Sequence, residues 1–133
     1  MLKFIAERDH MVLSSVSQEG VSQSAVVGCG HTDRFELIFG TSIESRKAQN
    51  ILNNARVSAV IGLDINGTIQ YEGEARKLEG DERETYTELY FAKIPPARKN
   101  KDKPGQTYFL VTPKWIRHTD IRTSPWTVTE LSF

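Results

Sequence analysis

The run Phe39-Gly-Thr-Ser-Ile-Glu-Ser-Arg-Lys-Ala-Gln-Asn50 carries a strand straight into a helix. Just upstream, Phe35-Glu-Leu-Ile-Phe39 is apolar at Phe35, Leu37 and Phe39, the two-residue period of a strand with one buried face. Thr41 followed three residues later by Glu44 has the form of a capping box, which predicts a helix from that point. Ala48, Ile51, Leu52 and Ala55 then fall at helical spacing and predict one buried stripe. Ser42, Ser45 and Arg46 share another face of the same helix, with Lys47 one position round. Free backbone N–H groups, the positive end of the helix dipole, hydroxyl donors and two cations therefore converge at one helix end. Such a convergence suits a phosphate. The plainer reading is a solvated, well-capped helix face, and Glu44 opposes a phosphate unless its carboxylate turns away.

Outward from this run the chain reads as short strands with two or three helices between them. Leu2 to about Glu7 forms a short helix with Leu2, Ile5 and Ala6 inward. Met11–Val16 and Val21–Cys29 flank the turn at Gln18-Glu19-Gly20, and His31–Arg34 is the next turn. Val57–Leu63 and Thr68–Leu78 flank Asn66-Gly67, a hairpin turn. Gly73 invites the bulge or bend that barrels need to close. Asp81–Ala92 is a further helix with Asp81 near its cap, and Lys93–Gly105 is a basic, proline-containing loop. Gln106–Thr112 and Trp115–Asp120 are two strands broken by Pro113, and Trp126–Phe133 is a last strand. The expected class is α+β, mainly antiparallel, a small barrel formed by one domain over residues 1–133.

In its ordered set of motifs the chain resembles the pyridoxamine 5′-phosphate oxidase-like FMN-binding split-barrel proteins, in particular the short members that are like general stress proteins. Ser45-Arg46-Lys47, after a strand ending in Phe39-Gly40-Thr41-Ser42, resembles their phosphate signature. His10–Val16, Ser17–Gly20 and Val21–Val27 resemble the first hairpin, and Asn53–Ile61 and Ile69–Gly73 the next two strands. The resemblance covers residues 8–80 well and the rest loosely. It implies a homodimer with FMN at the subunit interface. Ser45, Arg46 and Lys47 would hold the phosphate, with Thr41 and Ser42 near the phosphate or ribityl chain. Backbone groups of Val26 and Val27, together with Gln70, would meet the ring, and Thr68 could serve in place of Gln70. Trp115, between Lys114 and Ile116 and close to Arg117, would pack on the flavin or else fill the core or dimer seam.

The departures from that family narrow the chemistry. The oxidases carry an arginine and a lysine on the strand matching Ala25–Gly30, and here those places fall on Ala25 and Gly30. Their long C-terminal segment, with its tryptophan and basic residues, has no convincing match here. Oxidation of pyridoxine or pyridoxamine phosphate is therefore not expected. What remains is a flavin-dependent oxidoreductase that transfers hydride to or from an unknown small molecule. The alternatives are a non-catalytic flavin carrier or stress-response module, or a barrel holding deazaflavin or haem.

Composition excludes several other classes. Lys plus Arg and Asp plus Glu both number 17, so no global field draws the chain to nucleic acid or an anionic membrane. The hydrophobic fraction, 38%, is low for a self-sufficient small barrel and favours burying surface in an oligomer. Neither a leader nor a membrane span is read in the sequence, and the lone Cys29 suits a reducing cytosol; the expected location is cytoplasmic. Cys29 itself reads as a small core residue. His10, His31 and His118 lack ligand spacing with one another or with Cys29, so no metal site is expected.

Overall fold

Alternation of apolar and polar residues along the strands gives each one buried face, and antiparallel pairing of those faces builds the molecule. The computed structural model describes residues 1–133. In chain order the elements are α1 (Leu2–Ala6), β1 (His10–Val16), β2 (Ser22–Gly28), β3 (Gly30–His31), β4 (Leu37–Ser42), α2 (Arg46–Asn53), β5 (Arg56–Asp64), β6 (Gly67–Lys77), α3 (Gly80–Lys93), β7 (Gln106–Asp120) and β8 (Thr127–Ser132). A 3₁₀ segment, Pro95–Asn100, follows α3 within the basic loop. The strands form one sheet in the order β2-β1-β5-β6-β7-β4-β3, and β8 pairs with the far end of β7. Every pairing is antiparallel. β2 approaches β4 across the open side, but no ladder joins them. The architecture is thus the expected α+β split barrel.

Inside the barrel, Met11, Leu13, Phe39, Ala59, Ile61, Ile69, Tyr71, Phe109 and Val111 pack with Ala48 and Ile51 of α2. Phe39 and Phe109 stack with centroids 5.4 Å apart. A second, smaller core lies on the other face of β4 and β7, where Ile38, Tyr108 and Leu110 meet Tyr90 and Phe91 of α3. The β7 run Thr107–Val111 is consequently buried on both faces.

Several sequence expectations yield to tertiary pairing. Phe35 adopts the left-handed region at φ 65°, so the strand starts at Leu37, and Phe35 packs on the core from a turn. Thr41 and Ser42 pair with Thr107 and Gln106 of β7, which keeps them in β4 and rules out Thr41 as a helix cap. Helix α2 begins only at Arg46 and has two turns; Leu52 is 54% exposed and Ala55 lies beyond its end. Asn50 takes a buried position in their stead. In α1 the inward residues are Phe4 and Ile5, and Ala6 is exposed. His31 belongs to the short β3 and not to the turn. Asp81 lies in the first turn of α3, after the N-cap position Glu79.

The largest difference is at Pro113. β7 runs unbroken from Gln106 to Asp120, because the β6–β7 register slips between Glu72 and Gly73 and absorbs the proline there. A bulge needs no ladder donor from proline. The bend expected at Gly73 is therefore present. A Cβ at Gly73 would lie 2.5 Å from the Thr112 carbonyl oxygen and 2.9 Å from Val111 Cγ1. Backbone cannot retreat as a flexible side chain can, so Gly73→Ala is expected to lower the unfolding free energy by roughly 1–3 kcal/mol. A shifted urea midpoint checks this.

Candidate functional site

Ser45 organises the β4–α2 junction. Its backbone is extended, at φ −66° and ψ 154°, and its Oγ accepts the Ala48 N–H at 3.2 Å as an N-cap. Thr41 Oγ1 donates to the same Oγ at 3.0 Å, and Lys47 Nζ donates to Thr41 Oγ1 at 3.5 Å. With two bonds accepted, the Ser45 hydroxyl keeps its own proton to donate. Ser42 Oγ accepts the Glu44 N–H and stands exposed. Ile43 N–H donates to the Gly105 carbonyl at 2.7 Å, which ties the turn to the end of the basic loop.

Arg46 and Lys47 border a cleft of about 220 Å³ between α2 and the β1–β2 hairpin, together with Leu13, Ser15, Gln23, Ser24 and Ala25. No carboxylate lines it. Neither cation forms an ion pair, and Glu44, exposed at the same helix end, pairs with neither. The cleft thus gathers hydrogen-bond donors and two uncompensated cations beside a helix N-terminus, a donor set that fits the phosphate of a bound cofactor. Leu13 and Ala25 add an apolar wall.

The other sequence-derived residues lie elsewhere. Val27 faces the core, and Val26 faces outward at 64% exposure. Because only β1 pairs with β2, one residue of each neighbouring pair along β2 turns its N–H and C=O to the open edge, so Val26 or Val27 offers backbone groups there. Gln70 sits on the outer face of β6 between Val60 and Arg117, with Thr68 on the same face. Trp115, half-buried, stands opposite Glu72, and the Arg117 guanidinium lies 5.5 Å from its ring centroid. Arg117 is also ion-paired with Glu130 of β8. Within one chain, then, Thr41, Ser42, Ser45, Arg46 and Lys47 come together, while Gln70 and Trp115 occupy a separate face.

Sequence reasoning passed over the residues that shape the cleft floor. Asn50 Nδ2 donates to Ser15 Oγ at 3.0 Å and to Gln23 Oε1 at 2.9 Å, binding α2 to both strands of the hairpin. A signal was present: Met11, Leu13 and Ser15 alternate inward, so a polar residue stands at a core position, and half-buried Gln23 pairs with it in register. The losses at Ala25 and Gly30 differ in kind. Ala25 leaves open space in the cleft wall. A Cβ at Gly30 would lie 2.6 Å from Tyr90 Cδ1 and 3.0 Å from the Ile38 carbonyl oxygen, so α3 fills that place.

A family model described as pyridoxamine 5′-phosphate oxidase matches residues 1–120. The chain belongs to this family. A pyridoxine/pyridoxamine 5′-phosphate oxidase from Bombyx mori is 34% identical over 85 residues, covering 63% of this chain and 33% of that protein. The chain therefore spans about a third of the length of the curated relative it matches. Among solved structures, a heme binding protein from Mycobacterium smegmatis superposes with TM-score 0.84 at 15% identity, covering 97% of this chain and 55% of the other. General Stress Protein 26 from Bacillus anthracis gives 0.73 at 22% identity, covering 99% and 95%. A pyridoxamine 5′-phosphate oxidase-related, FMN binding protein from Nostoc punctiforme gives 0.70 at 14%, covering 99% and 94%. At these identities the likeness is one of fold. No helix of this family member is long and apolar enough to cross a membrane.

Cys29 is fully buried, and burial raises its thiol pKa to about 11. Its carbonyl, with that of Ile5, accepts from Lys93 Nζ at 2.6 and 3.0 Å, a structural tie from the end of α3. Since the thiolate is the reactive form, the native protein at pH near 8 is expected to resist a thiol reagent until unfolded. Rapid labelling before unfolding would contradict this. At the cleft, Ser45→Ala removes the cap acceptor and is expected to cost about 1 kcal/mol in a urea titration.

Proposed function

We propose that this chain binds FMN, with the phosphate against Arg46, Lys47 and the Ser45 hydroxyl, and Thr41 and Ser42 beside the phosphate or ribityl chain. The observation that carries the reading is the cleft at the α2 N-terminus, lined by donors and unpaired cations and free of carboxylates. The family match agrees with it. Haem, named for two structural neighbours, needs an axial side chain such as His, Cys, Met or Tyr, and none lines this cleft. Deazaflavin coenzymes share the phosphate requirement and are a chemical variant of the same reading.

Ring contacts come from a second copy in this proposal. Gln70 and Trp115 lie on the outer sheet face of their own chain, so they reach the flavin of a neighbour in a homodimer with the cofactor at the interface. Residues 1–133 would act as one FMN-binding domain. When bound, FMN supplies hydride and electron transfer. The protein's own residues bind and orient it: Arg46 and Lys47 neutralise the phosphate, and Gln70 can both donate to and accept from the pyrimidine edge. No imidazole, thiol or carboxylate lines the cleft to move a proton. The proposed activity is hydride exchange between FMN and a small molecule, in the cytoplasm.

Replacing Arg46 and Lys47 together by alanine is expected to weaken FMN binding about tenfold or more, since charge-assisted contacts contribute roughly 1.5–3 kcal/mol each. Riboflavin, without the phosphate, is expected to bind the variant as it binds the native chain. Flavin fluorescence titrations read both. Equal FMN affinity in native and variant protein would remove the phosphate assignment. Anaerobic mixing of the loaded protein with NADH or NADPH separates an oxidoreductase, whose flavin bleaches, from a carrier, whose flavin stays oxidised.

A further inference from the structure

Hydrogen-bond bookkeeping around Asn50 leaves donors pointing one way. Asn50 is 8% exposed and gives its Nδ2 hydrogens to Ser15 Oγ and to Gln23 Oε1. An amide whose oxygen is held on one side must present its NH₂ on the other, so Gln23 Nε2 faces away from Asn50. Ser15 is 2% exposed, accepts from Asn50 and has no acceptor for its own hydroxyl proton. Both Ser15 and Gln23 line the cleft that Arg46 and Lys47 border, whereas Asn50 does not. A buried hydroxyl proton without an acceptor is costly unless a ligand oxygen receives it.

We infer that Asn50 is a positioning residue that fixes Ser15 and Gln23 as two neutral donors to the anionic end of the bound cofactor, on the wall where Ala25 contributes no cation. The inference rests on the FMN reading and adds a division of labour to it. Arg46 and Lys47 supply charge from the helix side. Ser15 and Gln23 supply directed hydrogen bonds from the strand side. Their polarity is set by Asn50, and by nothing else in the hydrogen-bond network around them. A carbonyl or carboxylate turned inward at position 23 would oppose the phosphate, whereas the neutral isoalloxazine would be indifferent to it.

The test measures FMN and riboflavin affinities on the full chain for Gln23→Glu, Gln23→Ala and Asn50→Ala. In Gln23→Glu the Asn50 donor keeps a partner, but the group facing the ligand becomes an acceptor. FMN affinity is expected to fall about tenfold or more while riboflavin changes less than about twofold. Gln23→Ala is expected to lower the FMN-to-riboflavin affinity ratio about fivefold. Asn50→Ala is expected to lower the same ratio although it leaves the cleft lining unchanged, and it should lower it less in the Gln23→Ala background than alone. A merely structural role for Asn50 would lower both affinities together and leave the ratio fixed. Gln23 is half-buried, so its variants keep the test decisive if Asn50→Ala fails to fold. An unchanged ratio in Gln23→Glu overturns the inference. If Arg46→Ala/Lys47→Ala loses FMN while Gln23→Glu retains it, this inference alone fails. If neither variant loses FMN, the FMN reading beneath it fails as well.

Discussion

Helix α2 has only two turns, too short to stand by itself, and its position against the β1–β2 hairpin depends on what it buries there. Ala48 and Ile51 enter the barrel core, but apolar contact alone would let the helix slide. The Asn50 amide prevents this by bonding Ser15 on one strand and Gln23 on the next, inside a poorly solvated space where an unmade bond is costly. The two side chains it binds, Ser15 and Gln23, line the cleft that Arg46 and Lys47 border.

The two cores divide the remaining work. The barrel core holds the strands in register, and the smaller core clamps α3 over β4 and β7, where Tyr90 covers Gly30. This clamp explains why a lysine is not simply missing at Gly30: its space belongs to another helix. At Ala25 the space is open, and neutral donors border it. The proposed anion site thus draws on one helix end and one hairpin. On the outer face stand the exposed Gln70 and Val26 and the half-buried Trp115. In the proposed homodimer, a second copy placing this face over a neighbour's cleft would bring Gln70 and Trp115 to Arg46 and Lys47.

Much of this was legible in the sequence. Period-two runs located most strands, Asn66-Gly67 located the central hairpin, and Gly73 located the bend. Ser45, Arg46 and Lys47 were placed at a helix N-terminus from the residues alone. What local pattern could not supply was pairing. Thr41 and Ser42 have the chemistry of a cap, yet β7 offers them a ladder, and Ser45 takes the cap instead. Pro113 is a strand breaker unless the partner strand slips, and here it does. Leu52 continues an apolar stripe that the helix abandons to solvent, while polar Asn50 goes inside because two partners await it across the hairpin. A buried polar network is a long-range property, and only the folded chain reveals it.

The central claim is that the cleft at the α2 N-terminus holds a flavin by its phosphate. The most direct measurement is the visible spectrum of the protein incubated with FMN, then gel-filtered, with riboflavin and haem as parallel samples. The account predicts a flavin spectrum that co-elutes with the protein from the FMN sample and much less from the riboflavin sample. A protein that emerges colourless from FMN, or that retains only haem with its Soret band, would contradict it.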